Sequence, residues 1–251
     1  MKLITNGCSF TWGAEILPYE LNLQYGENKV TENLKYYDNY RISRTYTKHL
    51  HDMLKTDSYE NLAFGGGSNK RIVRTTLEYF MPKISQGIDV SDHFVVIQWT
   101  EPARNEIYHD GNYYAIFANG SLSSPVNRDV VSSTYDDYIK GRILLDDTNF
   151  TNQFMSDIIL MSSFLKLHNI KYVFTHIASK IWKFPEMDNG FFDNINWSNH
   201  NYKDSSIRKF IDETERTKNI LLTYPQNHMN PEGHRFFAEI LYNRFVELYN
   251  L

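Results

Sequence analysis

The stretch "LITNGCSFTWG", residues 3–13, begins as a short apolar run and passes directly into a turn of small and polar residues. The run at residues 2–5 predicts a β-strand. The turn after it carries a thiol and a hydroxyl side by side, Cys8 and Ser9. A tight turn at the end of a strand presents its side chains at the edge of a sheet. We therefore expect Ser9 to stand at the edge where the first strand ends, near the start of a helix.

Beyond this turn, apolar runs alternate with segments of helical periodicity. The predicted strands lie at residues 2–5, 59–64, 93–100 and 171–177, and the predicted helices at residues 41–54, 70–84, 151–169 and 231–250. The continuous apolar run at 93–100 is typical of a strand that is buried on both faces. Strands that alternate with helices through short connections form parallel sheets covered by helices. The sequence therefore predicts a three-layer α/β/α fold with a parallel sheet of about five strands.

Two stretches depart from this alternation. Residues 105–150 include Asp110 and Gly111 between two alternating runs, which is a strong hairpin signal. Residues 183–205 are polar, aromatic and irregular. We expect one domain over residues 1–251, with these two stretches as insertions around the carboxyl edge of the sheet, where ligands bind in such folds.

Composition excludes several classes of protein. The chain has 251 residues and a net charge of −4, and its Lys and Arg residues form no basic run, so a nucleic-acid partner is not expected. A single cysteine rules out an internal disulfide. No apolar run approaches a membrane span, and no secretory signal opens the sequence. We expect a protein without a membrane partner, kept in the cytoplasm or packaged into a virion.

The predicted turns carry four motifs. They are "GCSFTWG" at residues 7–13, "NLAFGGGSN" at 61–69, "WTEPARNE" at 99–106 and "NHMNPEGH" at 227–234. In order and approximate spacing this set resembles the blocks of the SGNH (GDSL-like) hydrolase family, over nearly the whole chain. The matching residues are Gly7, Ser9, Thr11 and Gly13 in the first block, Asn61 and Gly66 in the second, and His228, Gly233 and His234 in the last.

The resemblance implies an SGNH or flavodoxin-like fold and a serine nucleophile. Ser9 would be the nucleophile and His228 the base that takes its proton. The backbone N–H groups of Ser9 and Gly66 would stabilise the oxyanion, together with a side-chain amide. The third block of this chain, residues 99–102, lacks the asparagine that supplies that amide in the family. We expect Asn69 to act as a substitute donor.

A second departure concerns the acid of the family. The acid precedes the histidine by three positions, where this chain has Pro225. Gln226 and Asn227 are amides, so no carboxylate lies just upstream of His228. An amide or a backbone carbonyl can still hold the tautomer of the imidazole, although it stabilises the imidazolium less than a carboxylate does. A Ser-His pair with reduced turnover and a dead site are both compatible with this pattern.

The strongest predicted strand ends at Thr100, and Glu101 and Arg104 follow it. We expect these three residues to contact substrate. The hydroxyl of Thr100 can donate a hydrogen bond, whereas an ionised Glu101 can only accept one. Arg104 suits an anionic group, and a solvated salt bridge explains it equally well.

Several residues have simpler interpretations. Ser9 could merely cap a helix, Cys8 is more often a packing residue than a reactive thiol, and His234 is expected to be structural. His49 and His51 lie two positions apart on a predicted helix, so they do not share a face and are poor metal ligands. The sequence predicts no metal site and no cofactor.

The resemblance implies hydrolysis of short acyl esters, including O-acetyl groups on carbohydrate, through an acyl-enzyme on Ser9. The expected partner is thus a small-molecule or glycan ester substrate. One alternative is a catalytically degenerate SGNH-like module that binds a glycan or a protein partner, for example in a viral particle. Another is acyl transfer to an alcohol other than water, at the same site.

Overall fold

A computed structural model describes residues 1–16, 34–109, 112–116, 147–177, 194–224 and 228–251. In chain order its elements are β1 (Lys2–Asn6), α1 (Ser9–Trp12), α2 (Leu34–Ile42), α3 (Tyr46–Leu54), β2 (Ser58–Asn61), α4 (Asn69–Ser85), β3 (His93–Trp99), β4 (Asn105–His109), β5 (Asn112–Ile116), α5 (Asp147–Leu167), β6 (Lys171–His176), α6 (Ile207–Lys218) and α7 (Pro231–Tyr249). None of the helices within these ranges is long and apolar enough to cross a membrane.

The main sheet is parallel and has the order β2-β1-β3-β6. The predicted α/β class with a parallel sheet is confirmed, with four strands among the described residues instead of about five. At the outer edge of β6 an irregular segment takes the next position. There the N–H of Phe174 donates to the carbonyl of Asn196, and isolated parallel bridges join Phe174 to Trp197 and His176 to Ser206. Pairing at single residues does not extend into a fifth strand.

Helices cover both faces of this sheet. Side chains alternate across a strand, so successive residues of β3 point to opposite faces. Val95 and Ile97 pack with α4 and α5 on one face. Phe94 and Val96 pack with α3, α6 and α7 on the other. Every residue of β3 is buried, as the continuous apolar run predicts.

The predicted helix at 41–54 is divided into α2 and α3. Ser43 and Thr45 lie at the break, and their hydroxyls donate to the carbonyls of Tyr40 and Ile42 at 2.7 and 2.9 Å. Short hydroxyl side chains compete in this way with the helical backbone pattern, which helical periodicity does not register. Helix α6 was not predicted from the sequence, although Ser206 caps it by accepting a hydrogen bond from the N–H of Lys209.

The hairpin prediction within residues 105–150 is confirmed. Strands β4 and β5 pair antiparallel, with His109 opposite Asn112. Arg74 of α4 holds the hairpin through two hydrogen bonds to the carboxylate of Glu106, at 2.9 and 3.0 Å. Several parts of the two insertions lie outside the described residues. They are the turn residues Asp110 and Gly111, residues 117–146, and residues 183–193 of the second insertion. The single-domain prediction stays a prediction.

Candidate active site

The turn after β1 begins at Asn6, which is fully buried. Its side-chain oxygen accepts from the N–H of Gly7 at 2.8 Å, and its amide nitrogen donates to Thr75 and Thr76 of α4. The chain then enters α1 at Ser9, so the predicted position of Ser9 at a strand end and helix start is what the structure shows. Helix α1 stops at Gly13, whose φ of 84° is a left-handed conformation that suits glycine.

Gln98, near the end of β3, lies under this turn. Its side-chain oxygen accepts from the backbone N–H of Thr11 at 3.2 Å and from the Thr11 hydroxyl at 2.8 Å. A β-carbon on Gly7 would lie 2.4 Å from that hydroxyl and 2.9 Å from the β-carbon of Gln98. Cys8 is fully buried, and its sulfur accepts from the Gln98 amide at 3.3 Å. The position of Cys8 agrees with its interpretation as a packing residue.

His228 reaches Ser9 from the other end of the chain. Its Nε2 lies 2.9 Å from the Ser9 hydroxyl oxygen, which is hydrogen-bonding distance. The imidazole ring also packs 5.0 Å from the ring of Phe10, centroid to centroid. The guanidinium of Arg208 lies on Phe10 as well, 5.3 Å from the ring centroid. The predicted serine and the predicted base are therefore brought into direct contact.

Glu15 also belongs to this site, although it was not predicted from the sequence. Its Oε1 lies 3.1 Å from Nδ1 of His228, within ion-pair distance but not aligned as a hydrogen bond. At this nitrogen the structure therefore places a carboxylate, a group that the sequence just before His228 does not offer. Residues 225–227 lie outside the described part of the chain. The only sequence signal for this residue is its position as a carboxylate six residues after Ser9. The family pattern instead has its acid just before the histidine.

The second motif lies against the first. The amide of Asn61 donates to the carbonyl of Thr11 at 2.8 Å, and the N–H of Phe64 donates to the carbonyl of Gly7 at 3.3 Å. Gly66 is buried and has a φ of 78°. Within the described residues, the backbone N–H groups of Ser9 and Gly66 donate no hydrogen bond. Both groups are therefore free to serve as the oxyanion donors that the motifs imply.

Asn69 has a different role from the one predicted. Its amide nitrogen lies 3.2 Å from the carbonyl of Thr100 and 3.5 Å from that of Glu101, and its oxygen accepts from the N–H of Thr100 at 2.9 Å. The side chain thus joins α4 to the loop after β3. The expectation that Asn69 offers a free oxyanion donor is therefore corrected. Its buried amide has hydrogen-bond partners in the loop after β3, and its position in the sequence does not reveal them.

The three predicted substrate contacts lie in the loop after β3. The Thr100 hydroxyl is buried and has no hydrogen-bond partner among the described residues. Glu101 forms an ion pair with Arg104, at 3.5 Å between Oε2 and Nε, which agrees with the salt-bridge interpretation of Arg104. Among the described residues, no hydrogen bond or ion pair joins Thr100 or Glu101 to Ser9. Substrate binding by these residues stays a prediction.

His234 is fully buried in the first turn of α7. Its Nδ1 accepts from the backbone N–H of Tyr46 at 3.2 Å, so it ties α7 to α3. Burial lowers the pKa of His234 to about 3, which keeps the ring neutral. This position agrees with the expected structural role. Across the described ranges, no group of three metal-binding side chains comes together.

The structure is thus that of an α/β protein with a parallel sheet and a Ser-His pair at one edge of that sheet. Two solved structures are similar in outline. A two-domain esterase active on acetylated mannans aligns over 100% of this chain and 50% of its own, with 13% identity and a TM-score of 0.46. The psychrotrophic esterase EstA from Pseudoalteromonas sp. aligns over 100% of this chain and 99% of its own, with 10% identity and a TM-score of 0.46. The chain thus spans half the length of the first esterase. Similarity at this level assigns no activity.

The chain belongs to the family of unknown function DUF6071, whose model matches residues 28–201. No curated protein sequence matches the chain. The matched range contains β2, β3 and β6 but neither Ser9 nor His228. The family therefore describes the central part of the fold, and the chemistry of the site has to be argued from the residues themselves.

Proposed function

We propose that this chain is a serine ester hydrolase of the SGNH type, with Ser9 as nucleophile and His228 as general base. The observation that carries the proposal is the 2.9 Å contact between the Ser9 hydroxyl and Nε2 of His228. A serine hydroxyl is a weak nucleophile until a base within hydrogen-bond reach removes its proton. The motif order around these two residues supports the same assignment.

The reaction proceeds in two steps. The Ser9 oxygen attacks the ester carbonyl while its proton passes to Nε2 of His228, giving a tetrahedral oxyanion. Collapse of this intermediate breaks the bond to the alcohol, which leaves with the proton from His228, and the acyl group stays on Ser9. Water then gives a proton to His228 and attacks the acyl-enzyme. The carboxylic acid departs as the proton returns to the Ser9 oxygen.

The backbone N–H groups of Ser9 and Gly66 are the proposed oxyanion donors. Neither is used by another partner in the described residues, and a glycine lets a substrate oxygen approach closely. The proposed substrates are short acyl esters, including O-acetyl groups on carbohydrate. This substrate class rests on the resemblance of the motifs.

Replacement of Ser9 tests the proposal directly. We expect Ser9→Ala to lower kcat/KM for p-nitrophenyl acetate by about a thousandfold or more, because the acyl group loses its attachment point. A fluorophosphonate probe should label the wild-type protein and fail to label Ser9→Ala. Ser85→Ala, at the exposed end of α4, is the matched control and should keep full activity and labelling.

Two results would contradict the proposal. One is unchanged hydrolysis by Ser9→Ala. The other is a folded wild-type protein that neither hydrolyses p-nitrophenyl acetate nor reacts with the probe, which would favour the degenerate glycan- or partner-binding module instead.

A further inference from the structure

We infer that Glu15 is the acidic positioning residue for His228, supplied by the loop that follows the nucleophile. The inference rests on the proposed function and deepens it, because it names the group that orients the base. The triad would then run Ser9, Glu15, His228 along the chain. Two of its members come from one short segment, and the third comes from the far end of the sequence.

The geometry of the imidazole supports this assignment. Its Nε2 faces the Ser9 hydroxyl at 2.9 Å and its Nδ1 faces Oε1 of Glu15 at 3.1 Å. A neutral histidine carries its proton on one nitrogen only. A carboxylate, which can only accept, favours the proton on Nδ1 and leaves Nε2 free to take the proton of Ser9. It also stabilises the imidazolium that forms during attack.

Burial makes Glu15 an unusual carboxylate. Its side chain is 13% exposed, and both of its oxygens are buried without a hydrogen-bond partner among the described residues. Taking a carboxylate out of water is costly unless a charge or donor compensates it. Among the described residues, the one positively chargeable group in ion-pair contact with Glu15 is the ring of His228. A contribution to stability therefore does not explain why a carboxylate is buried at this position.

The backbone at Glu15 is also held in an unfavourable conformation. Its φ is 71°, in the left-handed region that residues other than Gly, Asn and Asp rarely adopt. The neighbours fix it there. The N–H of Ala14 donates to the carbonyl of Ser9 at 2.9 Å, and the side chain of Ile16 is fully buried. A strained backbone held by its surroundings is typical of functional sites.

These contacts of Glu15 can be tested in the 251-residue chain. We expect Glu15→Gln to lower kcat for p-nitrophenyl acetate by about a hundredfold or more and to change KM by less than about threefold. The amide has nearly the same shape but cannot stabilise the imidazolium as a carboxylate does. Glu213→Gln, an exposed carboxylate on α6, is the matched control and should leave both constants unchanged.

A second variant separates a positioning role from a structural one. Glu15→Gly relieves the left-handed strain and removes the buried carboxylate, so we expect an equal or higher Tm together with the loss of kcat. A structural role predicts the opposite, a lower Tm in both variants with activity lost in proportion to unfolding, and that result would overturn the inference. So would full activity of Glu15→Gln.

The proposed function and this inference fail separately. If Ser9→Ala is inactive while Glu15→Gln retains wild-type kcat, the enzyme is a Ser-His pair and Glu15 has no part in its chemistry. If Ser9→Ala keeps its activity, the proposed function itself is wrong.

Discussion

Gln98 shows how one side chain can organise the turn that carries a nucleophile. It is fully buried, and it bonds the backbone and the hydroxyl of Thr11 as well as the sulfur of Cys8. The residue after Gly7 in this turn is Cys8, which supplies no charged side chain to hold the turn. In this chain an amide from the neighbouring strand makes the contacts that hold the first motif in place.

The loss of these contacts should be measurable. We expect Gln98→Leu to lower the free energy of unfolding by about 1–3 kcal/mol, because a buried N–H and a buried hydroxyl at Thr11 lose their acceptor. We also expect a lower kcat, since the turn that presents Ser9 is loosened. Urea unfolding and p-nitrophenyl acetate hydrolysis measure the two effects.

Gln86→Leu is the control for this substitution, because Gln86 is an exposed residue at the end of α4. It should leave both quantities near their wild-type values. Wild-type unfolding of Gln98→Leu would mean that Gln98 does not support the turn.

At the scale of elements, the start of α7 positions the base. The N–H of Asn230 donates to the carbonyl of Leu222 at 2.9 Å, and the N–H of Tyr224 donates to the carbonyl of His228 at 2.8 Å. Asn230 also caps α7 by accepting from the N–H of Gly233 at 2.8 Å. His228 is thus fixed by a short antiparallel pairing that ends in a capped helix, and the position of the helix decides where the imidazole lies.

Gly233 is the point at which this arrangement is most sensitive. A β-carbon there would lie 2.4 Å from the backbone carbonyl oxygen of Leu222, so Gly233→Ala must displace either α7 or the segment before His228. We expect a loss of about 1–3 kcal/mol in the free energy of unfolding, as in other overpacked sites, and at least a tenfold lower kcat.

Gly87→Ala provides the contrast. Gly87 has a φ of +71° and no atoms within 4 Å of the added carbon, so that variant suffers backbone strain alone. Its Tm should fall while its kcat stays unchanged. Equal loss of kcat in both variants would show that the effect at Gly233 reflects stability and not the placement of His228.

For the whole molecule, the order of the strands decides where the site lies. β1 stands at the centre of the sheet with β2 on one side and β3 on the other. Helix α3, after β1, and helix α4, after β2, cover opposite faces of the sheet. In doubly wound sheets ligands bind where the strand order reverses in this way, outside the carboxyl ends of the strands. Ser9 follows β1 and Gln98 lies near the end of β3, so both lie at this edge of the sheet.

The packing of the layers buries the imidazoles of His93, His176 and His234, and the last two predict a pH dependence of stability. Burial lowers the pKa of His234 to about 3 and that of His176 to about 4, from an ordinary value of 6.5. Between about pH 6.5 and pH 4 the unfolded chain binds protons that the folded chain does not. Stability therefore falls as the pH falls through this range, by up to about 1.4 kcal/mol per pH unit for each group.

Urea unfolding at pH 7, 6 and 5 measures this slope. We expect His234→Gln to make it shallower by about one proton, whereas His200→Gln, whose side chain is 64% exposed, should leave it unchanged. An identical slope for wild type and His234→Gln would contradict the assignment.

Much of the sheet could be predicted from the sequence because local pattern carries it. The apolar run at residues 93–100 became β3, and the runs at 2–5 and 171–177 became β1 and β6. The division between α2 and α3 could not be predicted from periodicity, since it depends on the hydroxyls of Ser43 and Thr45 bonding back to the chain. The partners of Asn69 were equally hidden, because they lie on a loop far along the sequence.

By itself the sequence determined the alternation of strands and helices and the order of the motifs, because periodicity and turn chemistry are properties of neighbouring residues. It also named Ser9 and His228. Only the tertiary structure decided that these two meet and that Glu15 faces the other nitrogen of the ring. Contacts across 219 positions depend on how the layers pack, and a carboxylate beside an imidazole is recognised by distance, not by spacing along the chain.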